Sequence, residues 1–154
     1  MKADIVQAFV SSAREVLAQE MGEPAEPQKM MLQGGPYKTG DVTVVIGLAQ
    51  AIEGNVILGL SKETALAYVA RVMGEPIGEL DELAQSGIGE LANVIAGRAG
   101  VVLSEKGYPT VIAPPTIILG HSTLLSTLGL QRLLVPVQTP LGIVELQLAA
   151  KERS

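Results

Sequence analysis

The segment Glu79–Glu105, ELDELAQSGIGELANVIAGRAGVVLSE, carries apolar side chains at intervals of three and four residues. This spacing predicts one long helix, which the glycines at Gly97–Gly100 can interrupt. At 100° per residue its apolar positions fall in one stripe that should face the core: Leu80, Ala84, Ile88, Leu91, Ile95 and Ala99. The rest of the fold is therefore expected to pack against this helix.

Three polar residues share the opposite face of the same helix. Ser86, Glu90 and Asn93 are separated by four and then three residues, so they form one row along the surface. Such a row is most often the solvated side of an amphipathic helix. Asn93, however, is unfavourable in mid-helix because its amide competes with the backbone. The glycines at 87, 89 and 97 each cost about 1 kcal/mol relative to alanine. These costs fit either a smooth functional surface or another backbone packed closely against the glycines.

The same reasoning assigns the remaining elements. We expect a helix over Asp4–Met21, strands over Met30–Gln33, Asp41–Ala51 and Asn55–Leu60, and a second helix between an N-cap at Ser61 and a stop at Gly74. Further strands are expected over Thr110–Ala113, Thr116–Leu119, Leu133–Gln138 and Gly142–Leu148, with turns at Glu53–Asn55 and Pro140–Gly142 and a polar tail over Lys151–Ser154. Strands and helices do not alternate regularly, so the sequence predicts an α+β single domain over residues 1–154.

The amino-acid composition argues against several classes of function. The chain of 154 residues has a net charge of −5 and only four aromatic residues, which disfavours nucleic acids and anionic membranes as partners. It has no cysteine and one histidine, so thiol chemistry and a zinc site of several histidines are excluded. We expect no metal or cofactor of its own. The N-terminus does not read as a signal peptide and no long apolar run occurs, which predicts a cytoplasmic protein.

The row on the long helix is also where a family resemblance becomes specific. The run Ser86-Gly-Ile-Gly-Glu90-Leu-Ala-Asn93 resembles the phosphatase motif of the CheC/CheX/FliY family. That motif has Asp or Ser, three residues, Glu, two residues and Asn, followed some twenty residues later by a proline. Pro114 and Pro115 both lie at about that distance. CheC proteins usually carry two such motifs, so the single copy is more similar to CheX.

The resemblance implies a fold and a reaction. The fold would be CheC-like, an extended and mainly antiparallel sheet with helices packed on one side. The substrate would be the aspartyl phosphate of a phosphorylated CheY-like response regulator, which would itself hold the Mg²⁺. Asn93 would position the attacking water, and Glu90 would pair with a lysine of the regulator. Ser86 and Glu90 would contact the partner. A carboxamide suits this chemistry because its oxygen accepts a hydrogen bond while its nitrogen donates one.

Other expectations concern an alternative function, assembly, activation and the single histidine. The related flagellar switch proteins use a similar fold for assembly, so a non-catalytic, regulator-binding module is the alternative function. Members of the family often dimerise, and CheX pairs through its sheet, so we expect a homodimer that covers exposed sheet edges. CheX members are thought to act without the CheD activator that stimulates CheC. His121, in a turn-like segment, is expected to have a loop or capping role.

Overall fold

A computed structural model describes residues 1–153. Its three helices are α1 (Ala3–Met21), α2 (Lys62–Met73) and α3 (Glu82–Glu105). The Ser61 hydroxyl accepts a hydrogen bond from the Thr64 N–H at 3.1 Å and so caps α2 as predicted. Gly74 ends α2 in a left-handed conformation, with φ of 73°.

The long helix departs from its predicted limits at two places. It begins at Glu82 rather than Glu79, because the Asp81 carboxylate accepts a hydrogen bond from the Ala84 N–H at 2.8 Å and caps the first turn. It also runs through Gly97 and Gly100 without a break. A Cβ atom on Gly100 would lie 3.5 Å from Cγ1 of Ile112, so that glycine brings a strand close to the helix. This packing offsets the helix propensity that glycine lacks.

The strands form a mainly antiparallel sheet with a small additional one. In chain order they are β1 (Glu26–Pro27), β2 (Met31–Gln33), β3 (Tyr37–Lys38), β4 (Val42–Gln50), β5 (Ile52–Leu60), β6 (Thr110–Ile112), β7 (Thr116–Leu119), β8 (Leu124–Leu125), β9 (Arg132–Thr139) and β10 (Gly142–Glu152). The main sheet has the order β1-β9-β10-β5-β4-β6, with β2 also paired to β9 and β7 to β4, whereas β3 pairs only with β8. The short strands β1, β3 and β8 were not predicted.

The predicted hairpin forms, but its turn lies elsewhere. β4 and β5 reverse at Gln50 and Ala51, not at Glu53–Asn55, and Gln50 adopts a φ of 79°. Gly54 instead lies inside β5, where a Cβ atom would stand 2.0 Å from the carbonyl oxygen of Ala149. The glycine therefore permits a close approach of two strands, which sequence reasoning mistook for a turn.

The C-terminal end differs in a similar way. β10 continues to Glu152, so the first two residues of the predicted polar tail, Lys151 and Glu152, extend the sheet. Lys151 pairs with Glu53 at 3.7 Å across the neighbouring strand. The predicted turn at Pro140–Gly142 does join β9 to β10.

The helices pack on one face of the sheet, as expected. The inward side chains of β4, β5, β9 and β10 form one apolar cluster with α1, α2 and α3. On the other face the β3 residue Tyr37 places its ring 5.6 Å from the guanidinium of Arg132. α3 contacts β4, β6 and β7, so it lies toward one edge of the sheet, whereas β1 and β2 form the opposite edge. This arrangement leaves the polar face of α3 open.

Candidate active site

The polar row of α3 lines an open cleft beside the strand edge. The cleft has a volume of about 550 Å³ and is lined by Glu82, Gln85, Ser86, Gly89, Glu90, Asn93, Pro115 and Ile117. α3 supplies one wall, and the segment that enters β7 supplies the other. The three predicted site residues are thus brought to one surface over about 10 Å of helix.

The predicted core stripe anchors this surface. Ile88 and Ile95 are fully buried and Leu91 is 2 % exposed, all on the side of α3 opposite the cleft. Ala84 and Ala99 are buried as well. Leu80 precedes the helix and only packs against the core from outside. The rigid side of the helix therefore fixes the orientation of its polar side.

One of the two candidate prolines forms part of the cleft. Pro115 is partly buried and lines it, whereas Pro114 is exposed and does not. A Cβ atom on Gly89 would lie 3.4 Å from Cγ of Pro115, which is the limit of ordinary contact. Gly89 thus explains how the proline comes so near the helix. From the sequence, the glycine fits either a functional surface or close packing; in the structure Gly89 packs against Pro115.

The three polar side chains remain available to a partner. Ser86 and Glu90 are exposed and Asn93 is partly exposed. Among residues 1–153, the side-chain hydrogen bonds of α3 and its cap involve Asp81, Gln85 and Arg98, and the Asn93 amide engages no protein group. Within the same range no ion pair includes Glu90. The row is therefore free to bind an incoming group.

Glu90 nevertheless affects its surroundings. Burial raises the pKa of the Tyr68 phenol to about 12, and the negative charges of Glu20 and then Glu90 add to the effect. Tyr68 belongs to α2 and is only 5 % exposed. The Tyr68 phenol is thus neutral across the whole physiological pH range.

The single histidine lies away from this cleft. His121 contacts one carboxylate oxygen of Asp41 through Nε2, and the other carboxylate oxygen accepts a hydrogen bond from the Lys62 N–H at 2.8 Å. This N–H and, to a lesser degree, His121 hold the pKa of Asp41 below its ordinary value. The pair ties a loop to the start of α2, in agreement with the expected loop or capping role.

Within residues 1–153 no three His, Cys, Asp or Glu side chains come together as metal ligands would. In that same range none of the helices combines the length and apolar character needed to span a bilayer.

Known proteins resemble the chain in sequence and in structure. A family model described as chemotaxis phosphatase CheX matches residues 42–138, a range that contains every residue of the cleft. The CheY-P phosphatase CheX of Thermotoga maritima is 35% identical over 130 residues, which is 84% of each chain.

Solved structures of CheX proteins match the fold of this chain along nearly its whole length. CheX in the CheX-CheY-BeF3-Mg+2 complex from Borrelia burgdorferi superposes with a TM-score of 0.85 and 29% identity, covering 98% of this chain and 100% of that one. A chemotaxis protein CheX from Desulfovibrio desulfuricans gives a TM-score of 0.83 and 25% identity over 97% and 99% of the two chains. The CheC-like α+β fold is confirmed. The chain belongs to the CheX family of chemotaxis phosphatases.

Proposed function

We propose that the chain hydrolyses the aspartyl phosphate of a phosphorylated CheY-type response regulator, with Asn93 positioning the attacking water and Glu90 docking a lysine of the regulator. The observation that carries this proposal is the cleft itself. It places Ser86, Glu90 and Asn93 on one exposed face of a helix whose opposite side is buried. The relative from Thermotoga maritima that matches most of the chain is a CheY-P phosphatase.

The chemistry needs little more than placement. An aspartyl phosphate is a reactive acyl phosphate, and its transition state is loose, so a water held in line with the phosphorus suffices. The Asn93 amide has a free carbonyl oxygen for that water and a free N–H for a phosphoryl oxygen. Mg²⁺ would come with the regulator and neutralise the developing charge there, because this chain groups no metal ligands among residues 1–153.

Glu90 lies one helical turn before Asn93 and carries a charge with no partner within residues 1–153. A lysine of the regulator would pair with it and set the angle at which the helix enters the phosphorylation site. Ser86, a further turn toward the N-terminus, would contact the regulator through its hydroxyl. Pro115 would hold the opposite wall of the cleft in place.

Asn93→Ala tests the reaction directly. The substitution removes the amide but leaves the buried stripe and Glu90 untouched, so the protein should fold and bind normally. We expect turnover to fall by about 10²-fold, the scale of a misplaced reacting group. The measurement is a time course of aspartyl-phosphate decay, with Asn93→Gln as the conservative variant. Normal decay with Asn93→Ala would refute the mechanism. If the wild-type protein also left the phosphate intact but bound the regulator, the chain would be a non-catalytic binding module.

We further propose that two copies pair through β2. All three residues of this edge strand are exposed, and Met31 and Leu32 are 45% and 62% exposed. An open apolar edge invites pairing with an identical strand. α3 contacts strands at the other side of the sheet, so both clefts would remain accessible in the dimer. Such a dimer would act in the cytoplasm, where we place the regulator, and without a separate activator.

The dimer can be tested by sedimentation. The wild-type chain should sediment at twice its mass of 16.1 kDa at micromolar concentration. Leu32→Lys should shift it to the monomer, since natural edge strands use lysine to prevent pairing. Leu124→Lys changes a similarly exposed leucine on β8 and should leave the dimer intact. A wild-type monomer at these concentrations would disprove the pairing.

A further inference from the structure

An apolar groove runs between α2 and α3 beside the polar cleft. It has a volume of about 330 Å³ and is lined by Tyr68, Val69, Val72, Met73, Leu83, Ser86, Gly87 and Glu90. Its floor is buried, with Val69 only 4% exposed. Its rim is exposed to solvent: the exposed fractions of Val72, Met73 and Leu83 are 57%, 42% and 61%. Large side chains that remain in water together mark a surface that binds something.

The groove and the polar cleft are one continuous surface. Ser86 and Glu90 line both of them, so each residue has the cleft on one side and the groove on the other. A protein that contacts both Asn93 and Glu90 would therefore lie at the border of the groove. Gly87 also lines the groove and, having no side chain, leaves its surface open; a Cβ atom there would meet nothing within 4 Å.

Acidic side chains near the groove favour one kind of partner. Glu90 lines the groove, and four more carboxylates lie in the segment that joins α2 to α3 or at the start of α3, with no lysine or arginine between Arg71 and Arg98: Glu75, Glu79, Asp81 and Glu82. All five are exposed. Opposite charge around an apolar centre favours a partner surface whose apolar side chains are flanked by cations. A second copy of this chain would instead bring like charges together across a two-fold axis.

We propose that the groove between α2 and α3 is a docking surface for the response regulator, which inserts an apolar side chain between Val72 and Leu83 while its lysines or arginines face Glu90 and the carboxylates of the segment that joins α2 to α3. The inference rests on the proposed function and adds a second contact to it. Glu90 orients the regulator at the phosphorylation site and contributes a charged contact to its affinity, and the groove adds a second, apolar contact. Neighbouring faces of α3 thereby share the binding of the regulator.

The test uses the double variant Val72→Ser/Leu83→Ser. Both positions are exposed on helices, so the protein should fold, which circular dichroism checks. Phosphorylated CheY is titrated against wild type and variant while aspartyl-phosphate decay is followed. The concentration for half-maximal rate should rise about tenfold or more, as expected when an apolar anchor is lost, and the rate at saturation should stay unchanged. Leu124→Ser is the matched control, since Leu124 is 66% exposed on β8.

The remaining outcomes separate this inference from the proposed function. Hydrolysis by the double variant with unchanged half-saturation would overturn the docking surface and leave the activity standing. Absence of hydrolysis and binding in the wild type would overturn both. A double variant that changes only its sedimentation would show that another copy of the chain occupies the groove, which would also overturn the inference.

Discussion

Gly89 of α3 faces Ile117 of β7 across a gap that a single methyl group would just fill. A Cβ atom on Gly89 would lie 3.4 Å from Cδ1 of Ile117, with Pro115 at the same distance on its other side. The missing side chain therefore sets the width of the cleft that holds Glu90 and Asn93. Glycine leaves this space open, although alanine would propagate the helix better.

The width of the cleft can be altered from this position. Gly89→Val adds branched methyl groups that must displace Pro115 and Ile117, so both the free energy of unfolding and the hydrolysis rate should fall. Gly97→Ala is the control on the same helix, because a Cβ atom there would meet nothing within 4 Å. That variant should gain about 0.5–1 kcal/mol in stability with unchanged activity. Urea unfolding and phosphate-release assays on both variants check the prediction, and equal effects would contradict it.

The charge of Glu90 should govern the affinity for the regulator. Glu90→Gln retains the size of the side chain but would lose the proposed ion pair, so binding to CheY that carries a stable phosphoryl mimic such as BeF3 should weaken by about 2–5 kcal/mol. Raising the salt concentration screens charges, so it should weaken wild-type binding more than that of the variant. Titration calorimetry at two salt concentrations measures both effects. Glu105→Gln, at the far exposed end of α3, should resemble the wild type. Parallel salt dependences of the wild type and Glu90→Gln would refute the pair.

Removal of metal should affect the regulator and not this chain. Treating phosphorylated CheY with EDTA should stop hydrolysis, because the Mg²⁺ that neutralises the phosphoryl group is lost. Treating only the present protein with EDTA and then dialysing it should change nothing. Phosphate release before and after Mg²⁺ is restored measures the effect. Full activity with the metal-free regulator would show that the metal is not supplied in this way.

Alkaline pH should destabilise the protein in part through Tyr68. Its folded pKa is about 12, whereas an unfolded tyrosine ionises near 10. The stabilisation is therefore complete below pH 10 and is lost as the pH rises toward 12. Urea midpoints measured between pH 8 and pH 11 should fall less steeply for Tyr68→Phe than for the wild type. Tyr108→Phe, at a partly buried tyrosine that packs against the edge of the core cluster, is the control. If the urea midpoint of Tyr68→Phe fell with pH as steeply as that of the wild type, folding would not raise the pKa of Tyr68.

The helices were largely predictable because their signals are local. A cap such as Ser61 and a stop such as Gly74 act within one turn, and the 3.6-residue period identifies the buried side of α3. The row of Ser86, Glu90 and Asn93 follows from the same period. The resemblance of this row to a known phosphatase motif then suggested the site and the family, and the family assignment is confirmed.

Other features depend on contacts between segments far apart in the chain. Gly54 resembled a turn residue, but it accommodates the backbone of β10 almost a hundred residues later. The sequence does not distinguish Pro114 from Pro115. The packing of Gly89 against Pro115 shows which of the two prolines lines the cleft. The apolar groove has the same origin, since Val72 and Leu83 belong to different helices. Local patterns determine helices and their faces, whereas the neighbour that each face meets is decided by long-range packing.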